Sequence, residues 1–232
     1  MHDGWQMTWT VPNILTVFRL LAAPFVGFAF VFFARPFADY LAFILFVGAA
    51  ITDYLDGLLA RRWHQISKFG RMLDPVADKA MVVIALAIVV GLSGLNPLVV
   101  LPATVILLRE VFVSGLREFL GGSVTLHVTK LAKWKTTAQM IAIGLLLFLG
   151  VLETELQLAY HQMDPEEYEK VVTGTGTAEN NVYFLSQAFN VLYFVGHFLL
   201  WIAAILTAIT GWDYFAKSRP YLAETEEEDR TT

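Results

Sequence analysis

Four carboxylates lie close together along this chain. Asp53 and Asp56 stand three residues apart and Asp74 and Asp78 four apart, with Arg61, Arg62, Lys68 and Arg71 between the pairs. On a helix turning 100° per residue, Asp53, Asp56, Gly57, Ala60 and Arg61 fall within an arc of about 140°. Asp74 and Asp78, at i and i+4, also share a face. Such a group cannot ionise together in a low-dielectric setting without counter-charge, because each carboxylate raises the pKa of its neighbours. Divalent cations supply that charge. With no cysteine in the chain and no histidine cluster, the hard oxygen donors suit Mg²⁺ or Mn²⁺, with Ca²⁺ also compatible, and do not suit Zn²⁺ or Cu²⁺. Gly57 and Ala60 leave the helix surface bare enough for a flat or bulky ligand to reach the backbone. Arg61, one turn nearer the water, suits a phosphate oxygen. Together these residue types describe a site for a metal-bound pyrophosphate.

The elements that must carry these residues are transmembrane helices. Hydrophobic residues make up 56% of the 232 and the mean hydropathy is +0.58, too apolar for an ordinary soluble fold. Six windows long enough to cross a bilayer run near 15–34, 39–60, 72–94, 97–119, 134–153 and 187–211, and the first has no cleavage site that would make it a removable signal. Asp53 and Asp56 come late in the second window and Asp74 and Asp78 early in the third, so Asp53 sits about 12 Å inside the boundary at Arg61 and Asp78 about as deep. An ionisable group inside a span costs about 2.5–3.5 kcal/mol on insertion scales, which makes these acids functional by default. Lys and Arg alternate between loops: the connections after spans two and four are basic, whereas those after one, three and five carry Arg35, no cation, and Lys170 among six acids. The positive-inside rule then places the basic loops and both termini in the cytoplasm. We expect an all-α integral membrane protein with six transmembrane helices, a single catalytic domain over 1–220 and an acidic, disordered tail over 221–232. Segment 154–186 reads as a solvated outer loop with room for a short helix. The lack of cysteine excludes disulfides and thiolate chemistry, and nothing supports nucleic-acid binding.

The pattern Asp53-x2-Asp56-Gly57-x2-Ala60-Arg61-x8-Gly70-x3-Asp74-x3-Asp78 resembles the complete signature of the CDP-alcohol phosphatidyltransferase family. Eight fixed residues match by chance in on the order of one window in 10¹⁰, so coincidence does not explain the likeness. The resemblance implies a six-span fold, usually homodimeric, in the cell (inner) membrane with its active site facing the cytoplasm. It implies that Asp53, Asp56, Asp74 and Asp78 hold two Mg²⁺ or Mn²⁺ ions and that Asp78 is also the catalytic base. It further implies that the donor nucleotide of CDP-diacylglycerol lies on the Gly57 and Ala60 face, with Arg61 and Ser67 contacting it. Asn13, Thr16 and Arg19 either help to hold that lipid nucleotide or cap and anchor the first helix.

Four further segments, PNILTVFR at 12–19, DPVADK at 74–79, REVFVSGLRE at 109–118 and KWKTT at 133–137, resemble the branch of that family that uses glycerol 3-phosphate. That acceptor is a dianion, and Arg109, Arg117 and Lys135 are expected to bind its phosphate. Arg109 lies inside an apolar window, where an unpaired guanidinium is expensive. Other readings stand beside this one. Arg109 can pair structurally with Glu110 or Glu118, and positive-inside bias alone accounts for Arg117 and Lys135. The acceptor can instead be inositol phosphate, serine or phosphatidylglycerol. From another class, the acids could line the path of a cation transporter, though Gly57, Ala60 and Arg61 then have no purpose, and no internal repeat of the kind common in transporters is visible. His197 reads as a hydrogen-bonded packing residue, His64 and His127 as too isolated to form a metal site, and the many phenylalanines as lipid-facing.

Overall fold

In the computed structural model, the backbone is described for residues 10–63, 68–120, 130–173 and 181–231. Over these residues the chain forms seven helices: α1 (Val11–Phe32), α2 (Phe37–Trp63), α3 (Lys68–Leu92), α4 (Pro97–Phe119), α5 (Lys130–Gln162), α6 (Pro165–Val172) and α7 (Asn181–Thr231). Six are long and apolar enough to cross a membrane, all but the short α6, and they correspond to the six expected spans. The chain is therefore a multi-pass membrane protein.

Helix starts follow local chemistry. The Thr10 side chain accepts a hydrogen bond from the Asn13 amide, with a proline in the first turn of α1. Asn96 caps α4 in the same way through the Leu98 amide, just before Pro97. Those caps satisfy donors that a helix leaves without internal partners. Because Thr10 is the cap, Asn13, Thr16 and Arg19 lie within α1 and do not cap it. The turn between α3 and α4 is tight, and Gly94 takes the left-handed conformation with φ of 61°.

Packing follows the logic of lipid, where apolar surface gains little by leaving its surroundings and helices associate through close contact of small residues. The buried interfaces are accordingly rich in alanine, among them Ala22 and Ala23 on α1, Ala42 on α2, Ala85 on α3, Ala142 on α5 and Ala203 on α7. Phe18, Phe25, Phe28 and Phe32 form an exposed stripe along α1, as expected of lipid-facing rings. Helix α1 packs on α2 and α3, α7 packs on α4 and α5, and contacts of α2 and α3 with α4 and α5 join the two groups. At one end of the bundle, Arg35 donates from Nε to Asp39 (2.8 Å) and from Nη2 to the Gly150 carbonyl (3.1 Å), fastening the α1–α2 turn to α5. The Asp39 carboxylate hydrogen-bonded to it raises the Arg35 pKa further above its ordinary value, so its charge is permanent.

Among the described residues of 154–186, α5 continues to Gln162, the short helix allowed for is α6, and α7 begins at Asn181. The backbone of α7 runs in helical form to Thr231. Glutamate is a good helix former, and a run of it beyond Pro220 contains no residue that stops the helix.

Candidate active site

The end of α2 and the start of α3 bring three of the four aspartates together, and a residue from α1 stands in their midst. Arg19 is only 2% exposed. Its Nη1 donates to Asp53 Oδ1 and to Asp78 Oδ1, the latter at 2.7 Å, and Nη2 lies 3.6 Å from Asp74 Oδ1. Thr16, one turn earlier on the same face and equally buried, donates its hydroxyl to Asp74 Oδ1 at 2.7 Å. The three carboxylate side chains are about half exposed, at 50%, 48% and 52%. The result is an open-sided cluster of acids with a buried guanidinium as its floor.

Sequence reasoning kept Arg19 as a cap, an anchor or a nucleotide contact, and the structure makes it the common counter-ion of the aspartates. The missed signal was periodicity. Asn13, Thr16, Arg19, Ala23 and Val26 are all buried and recur at helical spacing, so the face of α1 that turns inward is polar where it meets the acids and apolar beyond. Thr16, expected at the donor lipid, spends its hydroxyl on Asp74. Asn13 is buried on the same face. Gly57, Ala60 and Arg61 belong to the continuous backbone of α2, one to two turns beyond Asp53. The side chains of Asp56 and Arg61 lie outside the described set, as do all of Ser67, His64 and His127.

Three carboxylates against one guanidinium leave two negative charges uncompensated among these residues, and hard oxygen donors with half their surface open suit Mg²⁺ or Mn²⁺. With Arg19 between them, no three acidic or histidine side chains among the described residues stand close enough together to share a metal ion. The donor chemistry fits, and metal binding would draw the carboxylates toward the ion on their open side.

A second cluster adjoins the first. Lys79, the residue after Asp78, donates from Nζ to Ser114 Oγ on α4 (2.6 Å), and Ser114 donates to the Glu110 carbonyl (2.5 Å). Glu110 Oε1 in turn accepts from Arg109 Nη1 (3.0 Å) and from Lys135 Nζ on α5 (2.7 Å). Two cations share one carboxylate, so the cluster keeps a surplus positive charge. Arg109 Nε is buried with no hydrogen-bond partner among the described residues. Gly211 on α7 gives this side chain its room: a Cβ there would lie 2.8 Å from Arg109 Cγ. Arg117, expected in the same pocket, is about 12 Å further along α4, where its guanidinium lies 5.8 Å from the Tyr214 ring centre. Of the two readings of Arg109, the structural pair with Glu110 is present, so the protein itself supplies a partner for the buried guanidinium.

Comparison with known proteins finds relatives over most of the chain. The family model for CDP-alcohol phosphatidyltransferases matches residues 9–212, which include every residue of both clusters. A protein of Cereibacter sphaeroides is 56% identical over 220 residues, covering 94% of this chain and 99% of its own length, and is named CDP-diacylglycerol--glycerol-3-phosphate 3-phosphatidyltransferase. The same name is carried by a Rickettsia bellii protein, 35% identical over 91% of this chain and 96% of its own length. It is also carried by an Escherichia coli protein, 42% identical over 61% of this chain and 79% of its own length.

Proposed function

Since the chain belongs to the CDP-alcohol phosphatidyltransferase family, we infer that it transfers the phosphatidyl group of CDP-diacylglycerol to glycerol 3-phosphate, releasing CMP. The observation that carries this reading is that the consecutive residues Asp78 and Lys79 of α3 belong to two clusters of opposite sign. A metal-bound pyrophosphate belongs at the negative one and a phosphorylated alcohol at the positive one.

Asp53, Asp56, Asp74 and Asp78 would hold Mg²⁺ or Mn²⁺, which when bound neutralises pyrophosphate charge and polarises the phosphorus under attack. Arg19 holds the carboxylates facing one another before any substrate arrives. Asp78 has Oδ1 engaged by Arg19, so Oδ2 takes the proton from the acceptor hydroxyl. The resulting alkoxide oxygen forms the new bond to the phosphatidyl phosphorus as the bond to CMP breaks. Gly57 and Ala60 give the nucleotide access to the α2 surface, and Arg61 and Ser67 contact its phosphates. Arg109 and Lys135, aided by Lys79, hold the acceptor phosphate in place, which is most of what a phosphoryl-group transfer needs.

Both clusters lie at the end of the bundle where the cationic loops gather, which supports a site facing the cytoplasm. The homodimeric form and the cell-membrane location belong to the same reading. Purified protein supplied with CDP-diacylglycerol, Mg²⁺ and each labelled acceptor in turn tests the assignment. Label should enter lipid from glycerol 3-phosphate only, and EDTA should stop it until Mg²⁺ or Mn²⁺ is restored. Labelling from serine, inositol phosphate or phosphatidylglycerol in its place overturns it.

A further inference from the structure

A cavity of about 180 Å³ lies at the far end of the bundle from the aspartates. Along α3 the distance from Asp78 to Ser93 at its rim is roughly 22 Å. Its walls include aliphatic side chains of α3 and α5, and its polar groups are Ser93, Asn96, Glu153, Tyr193 and His197. At about 30 Å³ per water, this is room for several waters or one small head group.

Three of the five polar side chains, His197, Ser93 and Glu153, offer acceptors, beside the Tyr193 hydroxyl and the Asn96 amide, whose Oδ1 already accepts from the Leu98 amide. His197 is 8% exposed. Its Nδ1 lies 2.6 Å from the Tyr193 carbonyl and donates to it, which in the tautomer this contact selects leaves Nε2 as the acceptor. Nε2 has no partner among the described residues. Ser93 has committed its proton to the Val90 carbonyl (2.8 Å), which leaves its lone pairs. Glu153 adds a carboxylate. Its Oε2 accepts a long hydrogen bond from Arg35 Nη2 (3.5 Å), a guanidinium that also bonds Asp39 and Gly150, so its other oxygen carries the open lone pairs. The surroundings deepen the negative field, since Glu155, Asp164, Glu166 and Glu169 follow on the same side against Lys170.

Acceptors in an acidic setting call for a cation that carries several N–H donors. We propose that this cavity binds a primary ammonium group, presented by an aminophospholipid head group or by a free amine, through His197 Nε2, Ser93 Oγ and Glu153. A quaternary ammonium has the charge without the donors, and an anionic head group meets repulsion. The site is remote from the transfer chemistry and uses none of its residues.

The test uses the full chain in phosphatidylcholine nanodiscs, doped in parallel with phosphatidylethanolamine or phosphatidylglycerol, with retained lipid counted by native mass spectrometry. Phosphatidylethanolamine should be retained at least tenfold over the other two. Glu153→Gln and His197→Phe should abolish that preference while CMP release stays within twofold of the parent. In nanodiscs of phosphatidylcholine alone, added ethanolamine at constant ionic strength separates the sources: stabilisation against heat that is lost in Glu153→Gln identifies a free amine as sufficient. Equal retention of all three lipids together with no response to ethanolamine overturns the proposal, as does a preference that survives in Glu153→Gln. That variant carries the test if His197→Phe does not fold, because the Glu153 side chain is nearly half exposed.

Discussion

Arg19 serves three aspartates at once, and each of those partners is needed for something else. A guanidinium is a rigid fork of donors that stays charged at any working pH, so it can hold several carboxylates in one orientation without competing for their protons. Asp78 is the most informative of the three. Asp78→Asn keeps the size of the side chain and its acceptor toward Arg19 but cannot take a proton. CMP release should fall to background while the protein still elutes as a folded species on size exclusion, and near-normal turnover would remove Asp78 as the base. Arg109 requires a different measurement because Glu110 already gives it a partner. Arg109→Ala should raise the KM for glycerol 3-phosphate about tenfold or more, as the loss of a charge-assisted hydrogen bond of about 1.5–3 kcal/mol implies, and leave the KM for CDP-diacylglycerol unchanged. An unaltered KM for the acceptor would confine Arg109 to its ion pair with Glu110.

Helices set what these side chains can reach. The inward face of α1 delivers Thr16 and Arg19 to acids on α2 and α3, and α7 closes over α4 where Gly211 meets Arg109. At that crossing the absence of a side chain is the feature that matters. Gly211→Ala should add a methyl group with nowhere to go except against the Arg109 stem, moving the guanidinium from its place. The expected phenotype is that of Arg109→Ala in weaker form, a several-fold higher KM for glycerol 3-phosphate. If acceptor kinetics stay at parental values while thermal stability drops, Gly211 serves helix packing alone.

The molecule as a whole is a bundle with two chemically distinct ends. One gathers the aspartates, the cation cluster and most of the basic residues, and the other carries the Arg35 clasp, α6 and the acid-rich segment. Positive-inside logic puts the first in the cytoplasm. The natural absence of cysteine makes this simple to check. A single Thr173→Cys variant should react with a membrane-impermeant maleimide on intact cells, and a Lys217→Cys variant should react only after permeabilisation. The reverse pattern would turn the protein over and place its active site outside.

The sequence alone determined the membrane setting and the six spans, and it singled out the acids as candidates, because hydropathy over about 20 residues and fixed spacing within a helix are local properties. It also supplied the family resemblance. It did not reveal that Arg19 pairs with residues 34 and 59 positions away, that Glu110 joins Arg109 to Lys135, or that Gly211 makes room for Arg109. Arg117 was grouped with Arg109 because both belong to the segment at 109–118 and an acceptor phosphate needs cations, yet in the packed bundle it lies by the Tyr214 ring of α7. These are choices of partner between helices, and a helix with a polar stripe does not specify which neighbour that stripe will meet. Only the assembled bundle settles that, since burying a charge in lipid is tolerable just where another helix offers its counterpart.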